Sequence, residues 1–179
     1  MPYHAADGTN PYEGILPGKP APYFLEPGEG EKSIVFDTTF NILLSGDETE
    51  GQYGAFTTIG PAGERIPAHY HPNAHEIFYI LDGSVHLWMD DQNGFKQDRI
   101  LKTGGFGFIP KGTVHAFQMV EASRVFGIST GGFERFFDAM GVPTDDPGIP
   151  AQPYITPFPQ MLAAGEKYGT VFLPDFKFD

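Results

Sequence analysis

Gly63-Glu64-Arg65-Ile66-Pro67-Ala68-His69-Tyr70-His71-Pro72-Asn73-Ala74-His75-Glu76-Ile77-Phe78-Tyr79-Ile80-Leu81-Asp82-Gly83 is the stretch on which the architecture turns. It holds two short runs of β-type residues, 66–70 and 76–81, divided by His71-Pro72-Asn73 and closed by Asp82-Gly83. The same alternation of run and turn continues on both sides. Strands are expected at 34–36, 40–44, 52–59, 85–89, 96–101, 107–109, 114–119 and 124–129. Asn93-Gly94 gives the sharpest hairpin signal, because both residues tolerate positive φ. Glycine (23) and proline (17) exceed a fifth of the 179 residues, which disfavours a helix bundle and fits many short strands. The chain is therefore read as all-β, a sandwich or barrel, and the absence of an internal repeat makes it a single one.

The flanks differ from this centre. Six prolines between Pro2 and Pro27 predict an extended arm rather than a helix over 1–30, with its tyrosines and Phe24 docking it on the body or on a partner subunit. Phe133, Phe136, Phe137 and Met140 share one face of an expected helix over 133–140, which Gly141 can end in the left-handed conformation. A second helix is expected over 160–168. The organisation predicted is an arm over 1–32, a barrel over 33–132, and a C-terminal helix and tail over 133–179 packed on the barrel.

Composition narrows the function classes. Apolar residues at 40% and aromatics at 15% can build a core at this length. A net charge of −12 repels phosphate backbones and anionic lipid, so neither nucleic acid nor a membrane is an expected partner. The lack of cysteine removes disulfides, thiolate metal sites and cysteine nucleophiles. No signal-like or membrane-length apolar run occurs, and a cytoplasmic location is expected.

His69, His71, His75 and His115 fall within the strand region. His69 and His71 are two apart, so on a strand both rings leave the same face. Glu76 heads the following strand, and His115 ends the turn Pro110-Lys111-Gly112-Thr113-Val114-His115. Three imidazoles and a carboxylate form a ligand set for iron, nickel, cobalt, copper, manganese or zinc. His75 has the wrong parity relative to Glu76 and stays outside the site; His4 and His86 are read as solvated.

The glycine framing of these residues resembles the two cupin motifs. The stretch from Gly63 to Gly83 is similar to G-x5-HxH-x3,4-E-x6-G, and Gly104 to His115 to G-x5-P-x-G-x2-H-x3-N, with Met119 where the second motif ends in asparagine. The resemblance implies a small jelly-roll-like antiparallel β-barrel in which His69, His71, Glu76 and His115 converge on one divalent transition metal (nickel, cobalt, manganese, iron or copper). Within cupins the chain is most similar to the single-domain quercetinases, through Glu76-Ile77-Phe78-Tyr79, Gly105-Phe106-Gly107-Phe108-Ile109-Pro110 and Gly131-Gly132-Phe133-Glu134-Arg135-Phe136-Phe137.

Parity gives a separate view of the pocket. If Glu76 points inward, so do Phe78 and Ile80; if His115 does, so do Phe117 and Met119. Ile128 and Phe133 match pocket positions of the quercetinase pattern. Such a lining suits a flat apolar molecule, and no inward arginine is evident to clamp oxalate or a sugar phosphate. The resemblance implies cleavage of a flavonol such as quercetin by O2, with release of carbon monoxide and a depside, Glu76 serving as ligand and as base. Alternatives are a related metal cupin (oxygenase, isomerase or lyase) on another aromatic or polyketide-like substrate, and a non-catalytic small-molecule-binding cupin. A homodimer is the expected assembly.

Overall fold

The structure is a computed structural model that describes residues 4–5 and 7–178. In chain order the strands are β1 (Glu31–Val35), β2 (Thr38–Leu44), β3 (Tyr53–Gly60), β4 (His69–Tyr70), β5 (Glu76–Asp82), β6 (Ser84–Asp90), β7 (Lys96–Lys102), β8 (Phe106–Ile109), β9 (Val114–Met119) and β10 (Ser123–Thr130). Helix α1 (Arg135–Met140), β11 (Val142–Pro143), α2 (Phe158–Tyr168) and β12 (Val171–Phe172) follow. Two antiparallel sheets face one another, ordered β11-β1-β2-β3-β10-β5-β8 and β12-β4-β9-β6-β7.

The strand expectations map onto these elements with one marked shortfall. The run expected over 66–70 is a strand only at His69–Tyr70. Pro67 has no N–H to give to a ladder, although Ile66 still donates to Phe117 O at 3.0 Å. The Asn93-Gly94 hairpin forms as a wider loop in which Asp91 N–H bonds Phe95 O. Its left-handed residues are Gln92 and Gly94, not Asn93.

β3 and β10 show the two-residue period plainly, with inward Phe56, Thr58, Val125 and Ser129 buried and their neighbours half-exposed. One core cluster gathers Phe40, Ile42, Phe56, Phe133, Phe136, Phe137 and Met140, so the apolar face of α1 closes one end of the sandwich. Phe40 and Phe137 stack at 4.1 Å between ring centroids. A smaller cluster holds Ile80, Val85, Met119 and Val125.

Gly141 does not end α1 in the left-handed conformation; its backbone is extended, at φ −99° and ψ −173°. The requirement there is space. A Cβ at this position would stand 2.7 Å from Ser33 Cβ and 2.8 Å from Ile34 O, where the chain turns to pair β11 with β1. The left-handed cap occurs instead at Gly169, after α2, at φ 76° and ψ 53°.

The N-terminal arm lies on its own barrel at defined points. Tyr12 and Leu16 are buried, Tyr12 Oη is 2.7 Å from Ser33 Oγ, and Tyr23 O–H donates to Leu43 O. Phe24, expected to help dock the arm, is 98% exposed. Tyr3 lies outside the described residues. No helix among the described residues is long and apolar enough to cross a membrane.

Candidate metal centre

His69 and His115 sit opposite one another in the β4–β9 register, His71 lies just past β4, and Glu76 opens β5 in the facing sheet. The two sheets thus bring all four residues to one place. All four are buried, and they line a single cavity of about 610 Å³ between the sheets. Nitrogens of His69, His71 and His115 lie within 4.8 Å of one another, the spacing of a group that can hold a metal ion.

The outer edge of each ring fixes its chemistry. Nδ1 of His69 lies 2.9 Å from Pro67 O, Nδ1 of His115 lies 3.0 Å from Thr113 O, and Nδ1 of His71 lies 3.3 Å from Gly169 O. A carbonyl oxygen only accepts, so in each neutral ring Nδ1 carries the proton and Nε2 presents a lone pair. His71 Nε2 and His115 Nε2 each stand 3.1 Å from Glu76 Oε2. All three of these atoms are buried and none has a hydrogen bond of acceptable geometry. Lone pairs facing a carboxylate oxygen repel, and each buried orphan costs about 1–3 kcal/mol. A cation among them removes both penalties at once. Nitrogen and carboxylate donors of this kind suit a divalent transition metal.

Electrostatics agree with that role. Burial lowers the His69 pKa well below its ordinary value, with His115 and His71 adding to the effect, so the ring stays neutral and able to ligate. Burial acts to raise the Glu76 pKa, but positive charge on the side of His71 and His115, carried by ring protons or by a cation in their place, outweighs burial and holds the carboxyl well below the usual carboxylate range.

Of the expected pocket residues, Phe78, Phe117, Met119 and Phe133 line the cavity. Ile80 is inward but fully buried in the smaller core cluster. Ile128 does not line it. The inward residues of β10 are Val125, Gly127 and Ser129, which leaves Ile128 on the opposite face, in register with Ile77 and Ala55. His75 also lies apart, stacked on Phe108 with its Nδ1 accepting from Lys111 N–H. His86 is not a free solvated ring; it bonds Asp98 at 2.7 Å and stacks on Trp88 at 3.6 Å.

Other cavity residues were not found from sequence. Phe40, Phe56, Phe136, Phe137 and Met140 add to the aromatic wall from β2, β3 and α1. The helical stripe of α1 was the available signal, but it reads equally well as core. Thr170 and Phe172 come from the C-terminal segment, where Thr170 Oγ1 lies 3.3 Å from His71 Nδ1. Arg65 does line the cavity, yet its guanidinium sits over Trp88 and Phe178, at 5.2 and 5.7 Å from the ring centroids.

Residues 55–126 match the cupin domain family. Over these residues the chain is a cupin domain. Among relatives, the chain is 33% identical over 149 residues to quercetin 2,3-dioxygenase of Bacillus subtilis, covering 82% of this chain and 43% of that protein. It is 26% identical over 130 residues to quercetin 2,3-dioxygenase of Aspergillus japonicus, covering 70% and 37% respectively. The chain thus spans less than half the length of these two relatives. Among solved structures, KdgF from Halomonas sp. matches with a TM-score of 0.51 at 18% identity, over 62% of this chain and 94% of that one. Oxalate decarboxylase from Bacillus subtilis matches with a TM-score of 0.51 at 14% identity, over 65% and 31%. These two likenesses show a shared fold.

Proposed function

We propose that this cupin is a metal-dependent dioxygenase that opens the heterocyclic ring of a flavonol such as quercetin with O2, releasing carbon monoxide and a depside. The observation that carries the reading is a cavity walled by phenylalanines whose polar end consists of three converging imidazoles and one buried carboxylate. Likeness to two quercetin 2,3-dioxygenases supports the same chemistry.

His69, His71 and His115 would hold the metal, with Glu76 as a fourth ligand. The ion would supply Lewis acidity toward the oxygen of the substrate's 3-hydroxyl group. The chain's own residues do the rest. Phe78, Phe117, Met119 and Phe133 exclude water and press a flat guest into one orientation. Glu76, ionised and without a hydrogen-bond donor of good geometry, takes the proton of the 3-hydroxyl at a carboxylate oxygen. The guanidinium of Arg65, also in the cavity wall, lies over two aromatic rings.

Aerobic incubation of the metal-loaded protein with quercetin tests the reading. Loss of the flavonol absorbance together with evolved carbon monoxide is the expected result, and absence of both refutes it. Glu76→Gln is expected to keep the fold and abolish turnover; activity like that of the parent would remove Glu76 from the role of base.

A further inference from the structure

β1 and β2 are joined by only two residues, Phe36 and Asp37, with Val35 and Thr38 in register as the last pair. Two-residue hairpins with a left-handed first residue reserve that place for glycine, or for asparagine where both residues are left-handed. Here it is Phe36, at φ 54°, and Asp37 is not left-handed. A bulky side chain in this region is a strained outlier that persists only where its surroundings hold it.

The surroundings do hold it. Phe36 N–H donates to Tyr154 O at 2.9 Å, and Tyr154 N–H donates to Phe36 O at 2.8 Å. Tyr154 is anchored in turn, its hydroxyl donating to Gln160 Oε1, while Gln160 Nε2 donates to Ala139 O at the end of α1. Yet Phe36 belongs to neither core cluster, and more than a third of its surface is exposed. It lines the same cavity as the imidazoles, as does Ile155, which is 68% exposed. A strained aromatic that the core does not use, pinned at the exposed rim of an aromatic cavity, has its function in the guest.

We infer that Phe36 is a specificity-determining residue whose ring, with Ile155, grips the end of an elongated aromatic guest remote from the metal centre. The inference rests on the cavity being the guest site, and it goes beyond the proposed reaction in assigning guest length to the strained turn. A guest that fills only the inner end does not feel the ring.

Phe36→Gly and Phe36→Ala both remove the ring, but only glycine relieves the backbone. Glycine is ordinarily the less stable of the two; here the glycine variant is expected to melt about 2–4 °C above the alanine variant. Both variants should bind quercetin at least fivefold more weakly, read without oxygen by quenching of Trp88, the single tryptophan. A one-ring catechol should bind both variants and the parent alike, and bound metal should be unchanged. The inference is overturned if alanine melts at or above glycine, if quercetin binding equals the parent's, or if catechol binding falls as much as quercetin binding. Should the parent bind the neutral probe N-phenyl-1-naphthylamine but not quercetin, the flavonol reading fails by itself. The fivefold criterion for Phe36 is then applied to that probe.

Discussion

Two clusters of ionisable side chains are buried among the described residues, and they are built on opposite plans. Around Arg135, opposite charges meet within the chain: the guanidinium bonds Glu31, Asp138 and Asp47, and Ser33 O–H donates to Asp138. Orphaned atoms there, Arg135 Nε and Glu134 Oε2, occur on separate groups. At the centre of the cavity the orphans converge, with two imidazole nitrogens each 3.1 Å from one carboxylate oxygen and none of the three in a hydrogen bond of good geometry. The first cluster fastens β1 to α1. The second gathers donors of one kind, the arrangement that suits a cation. A buried polar group is therefore diagnostic of function by where its unmet valences point, more than by its burial.

His115→Ala gives the sharpest break in this contrast. It should abolish metal retention, measured by mass spectrometry after gel filtration, and turnover with it, while the metal-free fold persists because Nε2 makes no bond of good geometry and the Nδ1–H bond given up reaches only Thr113 O, two residues away. Retained metal at the parent's stoichiometry would show that the triad is not the ligand set. Arg135→Met is the counterpart. Removing one partner of a buried ion pair costs about 3–5 kcal/mol, so the variant should unfold at markedly lower denaturant, with metal affinity preserved in whatever fraction stays folded. An unchanged midpoint would mean that the cluster does not fasten the helix.

The smallest effect is one of pH. Burial pushes Glu31 up to about 7 and Asp138 up to about 6, against the pull of Arg135. Unfolded carboxyls titrate near 4, so between about pH 4 and pH 7 these groups bind more protons folded than unfolded. Their contribution is full at the acid end and is lost as pH rises through the folded values. Glu31→Gln removes one such group. Its melting temperature should therefore gain on the parent's as pH goes from 5 to 8, a difference in which the other titrations cancel. A constant gap would place the Glu31 pKa at its ordinary value.

Local pattern carried much of this into the sequence. The strands, the His69-x-His71 pair, Glu76 and His115 were legible because period, turn residues and motif spacing are local properties. Ile128 shows the cost of preferring resemblance to parity: alternation along β10 sets it on the outer face, whereas the family pattern drew it into the pocket. Gly141 was read for its conformational freedom when the constraint was contact with Ser33, far away in sequence. The bonds that set the His71 ring are of the same kind. They come from Gly169 and Thr170, and a pairing across ninety-eight residues leaves no trace in spacing or composition.

That last pairing has a bearing on biosynthesis. All three imidazoles leave the ribosome well before the segment that orients one of them. The His71 ring thus takes its final setting from a segment synthesised ninety-eight residues after it, beside the strand that pairs with β4.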